Sequence, residues 1–186
     1  MSDLTITERG VTVVKNTGGE FLSADKKLNQ MKMDVISLNM TTDVETHADN
    51  DAITQAIEIP NAVSVKGGSA IIQSIVVFNL DNSVESPAME VVFATDNTNI
   101  ASDEGEAVNV DDTEIQDFLG TVTVSNWSTM NATPLNEMAT KSNIGLVVKA
   151  GSTTRSLFCY LINRSGGNYT PSGTGVIKMK VGIVQD

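Results

Sequence analysis

The sequence predicts an all-β protein: an antiparallel β-sandwich, jelly-roll-like, with eight or nine strands and one short helix near residues 111–119. Three observations carry that prediction. The chain holds 21 Val, 20 Thr and 14 Ile, β-branched residues whose stiff χ1 suits a pleated surface. Apolar and polar residues alternate with period two in segment after segment, which turns one face of each towards a core. Turn formers separate the segments, as in Lys66-Gly67-Gly68-Ser69, Leu80-Asp81-Asn82-Ser83, Ala150-Gly151-Ser152 and Ser165-Gly166-Gly167-Asn168. Such residues tolerate positive φ or close a turn through a side chain. Strand–helix alternation is missing, which argues against a doubly wound α/β fold.

Each element has its own justification. Val11-Thr12-Val13-Val14 reads as a strand that Asn16-Thr17-Gly18-Gly19 breaks. Met31 to Leu38 begins as an alternation and then slips by one residue, the mark of a bulge or of burial on both sides. Ile53 to Ile59 places Ile53, Ile57 and Ile59 on one face, and Pro60-Asn61 stops it. Ala70 to Leu80 is apolar almost throughout, as a strand buried on both faces would be. Met89 to Thr95, Thr121 to Ser125, Ile144 to Ala150, Ser156 to Arg164 and Val176 to Val184 complete the set. In the last, Ile177, Met179, Val181 and Ile183 alternate with Lys178, Lys180 and Gly182. The helix is expected from an Asp111 cap, acids in the first turn, Gly120 at the end, and Ile115, Phe118 and Leu119 on one face. Residues 1–40 read as an N-terminal arm or first strands, and residues 41–186 as the sandwich domain.

Composition narrows the function. With 186 residues and 40% hydrophobic content, one sizeable core is available. The balance of 12 basic against 23 acidic residues leaves −11, the wrong sign for a nucleic-acid binder. It also repels anionic lipid. The sequence MSDLTITERG lacks a basic start and an apolar run, and the longest apolar stretch, Leu157 to Ile162, is six residues against the roughly 20 of a spanning helix. The expectation is a soluble protein made in a cytoplasm. The Asn-x-Ser/Thr triplets at Asn39, Asn126, Asn131, Asn163 and Asn168 are then chance matches.

No pattern states a chemistry. A single Cys rules out an internal disulfide and any multi-cysteine zinc site. His47, the one His, lies in the acidic stretch Asp43-Val44-Glu45-Thr46-His47-Ala48-Asp49-Asn50-Asp51, while Cys159 lies in the apolar Leu157-Phe158-Cys159-Tyr160-Leu161. A Cys159–His47 dyad would have to be made by the fold, and an inert buried thiol is the simpler reading. Eight aromatics are few for a sugar-cleaving cleft. The alternating acids from Asp43 to Asp51 offer oxygen ligands, yet they lack the order of an EF-hand loop. A solvated acidic edge accounts for them, and so for the looser group Asp81, Asn82 and Glu85. The glycine pairs precede no Gly-Lys-Ser/Thr and no helix, so they are turn glycines. No catalytic residue, metal or cofactor is expected. Trp127, flanked by polar residues, is either a contact anchor or a lid on the sandwich end. Met31, Met33 and Met40 suit a core or an interface equally.

Two blocks resemble a known class of protein. They are Ile57-Glu58-Ile59-Pro60-Asn61-Ala62-Val63-Ser64-Val65-Lys66-Gly67-Gly68-Ser69-Ala70-Ile71-Ile72-Gln73-Ser74-Ile75, and Ala139-Thr140-Lys141-Ser142-Asn143-Ile144-Gly145-Leu146-Val147-Val148-Lys149-Ala150 followed by Ser156-Leu157-Phe158. They are similar to segments of small structural proteins of marine tailed phages. The similarity runs over about 120 residues, from near Gln55 onwards, and carries no functional motif. It implies a virion protein of the capsid decoration (cement) type, β-rich, non-enzymatic and commonly trimeric. The partners so implied are the major capsid protein and copies of the chain itself, with no nucleic acid and no membrane. The place so implied is the capsid surface. Leu4, Ile6, Val11, Val13 and Trp127 are the candidate contact residues, unless the first four simply belong to the core. The alternative is a receptor- or glycan-binding module of a tail or spike, for which Trp127, Tyr160 and Tyr169 would be the aromatic platform.

Overall fold

Alternation of side chains along a strand dictates which residues meet, and the register between strands dictates what surface they make. The computed structural model describes residues 5–8, 11–15, 21–23, 32–81, 86–98, 100–132 and 135–185, the first three segments through their backbone. In chain order the strands are β1 (Thr5–Glu8), β2 (Val11–Lys15), β3 (Phe21–Ser23), β4 (Lys32–Met40), β5 (Ile57–Ile59), β6 (Ser69–Asn79), β7 (Met89–Ala94), β8 (Phe118–Val124), β9 (Trp127–Ala132), β10 (Leu135–Lys149), β11 (Leu157–Asn163) and β12 (Ile177–Gln185). The chain divides into two compact units, residues 1–31 and residues 32–186. In the first, β1, β2 and β3 form an antiparallel sheet of their own, with Ile6 paired to Val13 and Glu8 to Val11. Lys32–Met40, grouped with the N-terminal segment by sequence, pairs along its whole length with β12 and so belongs to the second unit.

That second unit is an antiparallel β-sandwich. One sheet has the order β4-β12-β6-β10-β9 and the other β5-β11-β7-β8. Without β9, the eight strands distribute over two four-stranded sheets in the jelly-roll arrangement, the hairpin partner β9 extending one edge. Ile72, Ile75, Val77, Val181 and Ile183 of the first sheet face Val91, Phe93, Val122, Leu157 and Leu161 of the second. Each such fully buried side chain contributes about 1.5–3 kcal/mol.

A second, smaller cluster lies on the outer face of the four-stranded sheet. Val92, Ala94, Tyr160 and Ile162 point away from the main core and are covered by Ile100, Ala101, Val108 and Val110 of the connection between β7 and β8. This is why β7 and β11 are the strands buried on both faces. The long apolar run in β6 is different: one side is buried and the other only half-covered.

Several elements differ from the sequence reading, each for a local reason. β4 has no bulge against β12. Its alternation slips because Met33 and Val35 point outwards while Ile36, Leu38 and Met40 turn towards the core. The strand expected over 53–59 is regular only at Ile57–Ile59; before it, Thr54 Oγ1 accepts Leu161 N at 3.0 Å in place of a ladder carbonyl. The expected helix shrinks to one 3-10 turn, Glu114–Asp117. Asp111 does cap it: its Oδ1 accepts the amides of Thr113 and Glu114 at 2.7 and 2.8 Å, and the Glu114 carboxylate accepts Asp111 N in return. Phe118 already pairs with Ala94, so Phe118 and Leu119 point to opposite sides as strand residues do, one to the outer cluster and one to the main core. β9 occupies a segment expected to be loop, because a strand exposed on both sides shows no apolar alternation.

Candidate interaction surfaces

The groups that could do chemistry are committed to structure. Cys159 faces the main core, where burial pushes its thiol far above the ordinary range. His47 is also fully buried. Its Nδ1 lies 3.0 Å from the Ala52 carbonyl and its ring stacks on Tyr169 with centroids 6.3 Å apart. Its Nε2 sits 3.1 Å from Asp43 Oδ1 but does not align on it as a hydrogen bond. Main-chain bonds in both directions tie His47 to Tyr169. His47 and Cys159 thus have separate partners, the Ile57 carbonyl being that of the thiol.

The acidic loop is a built corner. Asp43 Oδ1 accepts Glu45 N, Asp49 Oδ1 accepts Gly166 N, and Asp51 Oδ2 accepts Ala48 N. Asn163 holds it from below, its Nδ2 aimed at the carbonyls of His47, Ala48 and Gly167 within 3.0 Å. Arg164 closes the side, its guanidinium donating to Glu90 and to Asn50. Among the described residues, no three His, Cys, Asp or Glu side chains converge as a metal site would require. Asp81 is buried and takes both the amide and the hydroxyl of Ser172 at 2.6 Å. Its sequence companions Asn82 and Glu85 lie outside the described residues.

Among the described residues, the aromatic side chains named for a glycan site form no exposed platform. Tyr160 and Tyr169 are buried. Trp127, first residue of β9, is half-buried against the main core and donates Nε1 to the Pro87 carbonyl at 2.9 Å. It sits as a lid on the sandwich. Leu4 lies outside the described residues, as do the side chains of Ile6, Val11 and Val13.

The outer face of the five-stranded sheet is the unexpected surface. Cross-strand register sets Met33 beside Val184, Val184 beside Ile71, and Ile71 beside Val147. The result is one apolar row across four strands, roughly 14 Å wide at about 4.8 Å per strand. Its two ends are among the most exposed apolar residues described, Met33 at 78% and Val147 at 67%, with Val35 at 63% in the next row. Further down, Lys180 lies beside Val76 and Lys178 beside Phe78, the Lys180 ammonium standing 5.5 Å from the Phe78 ring. The other side of the sandwich has the opposite character. The connection from Thr95 to Asp117 carries eight acidic residues and no Lys or Arg. Of the row, only Met33 stands out in the sequence; Val147 and Val184 belong to alternations whose outward members are normally polar.

No protein-family model matches the chain, and no curated protein matches it. Among solved structures, a chain from a single-particle study of maize chlorotic mottle virus aligns over 82% of this chain and 92% of its own, at 10% identity and a TM-score of 0.27. At that TM-score the alignment adds nothing to the fold assignment, which rests on strand order. No described helix is long and apolar enough to cross a membrane.

Proposed function

We propose that this chain is a structural protein of a virus particle. It decorates and stabilises the capsid of a tailed phage by binding across neighbouring capsid subunits as a homo-oligomer, with a trimer favoured. The carrying observation is the apolar row Met33–Val184–Ile71–Val147 on a rigid sheet. A jelly roll can keep such a row in place without side-chain rearrangement, and exposed apolar surface of this kind marks an interaction site. The similarity of its two blocks to phage structural proteins supports the same reading. So does the commitment of His47 and Cys159 to packing, which suits a non-enzymatic protein. Binding only to the assembled shell stabilises that shell by mass action. Its place would be the capsid surface, after synthesis in the host cytoplasm. Residues 1–40, with Leu4, Ile6, Val11 and Val13, stand as a second contact region. The glycan-binding alternative has less behind it, since Tyr160 and Tyr169 are buried.

Co-sedimentation of purified protein with undecorated shells tests the proposal. Saturable binding to shells, with no signal on a glycan array, is the expected result. Glycan binding without shell binding would overturn it.

A further inference from the structure

The sandwich has one acidic outer side and one lysine-bearing outer side, and each holds an exposed apolar element. On the outer face of the five-stranded sheet a shallow groove of about 430 Å³ is lined by Ser37, Asn39, Phe78, Leu80, Lys178 and Lys180. Phe78 and Leu80 make its floor partly apolar, and Leu80 is 39% exposed. Lys178 is held on the rim by Asn39 Oδ1 at 3.1 Å, and Lys180 by the Phe78 ring. On the other side, the 3-10 turn presents Ile115, 58% exposed, between Asp112 and Gln116. That turn is pre-formed: Asp111 and Glu114 cap each other's amides, and Gln116 Nε2 donates to the Asp112 carbonyl at 2.8 Å. A pre-formed turn with an exposed Ile115 and acidic neighbours in sequence, Asp111, Asp112, Glu114 and Asp117, thus exists on the same chain as a partly apolar groove rimmed by two ammonium groups.

We infer that the groove over Phe78 and Leu80 receives the Ile115 turn of a second copy of this chain. Three features select this occupant. The charges are opposite at the rim, where complementarity sets orientation and rejects wrong partners. Knob and groove both expose apolar surface that water would otherwise cover. The turn is already hydrogen-bonded in place, so docking adds little ordering cost beyond the loss of overall motion. The contact uses two different surfaces, so it is heterologous and closes into a ring or propagates as a chain. The inference rests on the proposed function only for the idea that the chain works as an oligomer. It names a surface distinct from the apolar row assigned to the shell.

Charge exchange tests it, with sedimentation velocity on the full chain. Wild-type protein should self-associate, and more weakly as salt rises, since the rim charges are exposed. The variants K178E/K180E and D112K/Q116K should each associate at least about tenfold more weakly. Mixed together, they should associate again, because each variant's altered side then meets a complementary partner. Restoration in the mixture cannot come from a misfolded variant. A wild type that is monomeric at every salt and concentration would overturn the inference. So would variants that associate like the wild type, or a mixture that stays dissociated. A monomer that still binds shells would overturn this contact and the homo-oligomer in the proposed function, and leave shell binding standing.

Discussion

Asn163 shows how one buried amide can hold a corner. Its side chain serves three carbonyls and accepts Ser165 N, and its own backbone pairs with Asn50 and Asp51. Asn163→Ala removes these side-chain bonds and leaves Ser165 N without its acceptor, while the three carbonyls keep Tyr169 N, Asp51 N and Ser165 Oγ as donors; each buried bond lost costs about 0.5–1.5 kcal/mol. The variant should lose about 2–3 kcal/mol in urea unfolding, with the midpoint and not the slope moving. The same burial makes the Asn163 triplet inaccessible to glycosylation. Glu104 behaves in the opposite sense to a stabilising carboxylate. Burial above all, helped by nearby Asp43, raises it above the ordinary glutamate range, despite a bond from Gln55 N. A raised folded-state value means that the stabilising contribution is present below the unfolded value and is lost as pH climbs through the folded one. Glu104→Gln should therefore be more stable than wild type at pH 7, and the difference should vanish below about pH 4 as the wild-type carboxyl takes its proton. Thermal melts at the two pH values check the sign.

Among the elements, the connection from Thr95 to Asp117 matters most. It has almost no regular structure, yet it seals the outer face of the four-stranded sheet. Tyr160 fastens it: the ring packs on Phe118 with centroids 6.2 Å apart, and the hydroxyl reaches the carbonyls of Asp96 and Thr98. Tyr160→Phe keeps the packing and removes the bond, for a loss of about 1 kcal/mol. Hydrogen exchange should then speed up in residues 100–110 while β12 stays protected. In β10, Asn143 and Gly145 take positive φ, and the pairing with β6 skips between Ser142 and Leu146. That bulge lets a strand of 15 residues curve across the sheet. The sequence marks only Ile144 onwards, since the first half pairs through residues such as Glu137, Thr140 and Ser142 that show no apolar alternation.

At the level of the molecule, the two outer sides of the sandwich differ in character. One is acidic and sealed by its loop; the other exposes a sheet with an apolar row and a lysine-lined groove. The chain's −11 charge favours solubility. Met33→Asp with Val35→Asp places two carboxylates in the surface assigned to the shell. Both sites are exposed, so the melting temperature should stay within a few degrees, while shell co-sedimentation drops by about tenfold or more. Unchanged co-sedimentation would move the shell contact elsewhere, to residues 1–40.

Much of the fold could be read locally. The alternation from Ile177 to Ile183 identifies β12 and both of its faces, because side-chain direction along a strand has period two whatever it pairs with. The turn glycines, the acidic cap at Asp111 and the buried thiol of Cys159 are likewise matters of a few neighbouring residues. The surfaces are not. Met33, Val184, Ile71 and Val147 make one row only because β4, β12, β6 and β10 lie side by side in one register. Ile115 and Phe78 come to opposite sides only through the jelly-roll order. Such pairings join residues far apart in the chain, and their free energy belongs to the assembled sandwich, so no short window of residues records them.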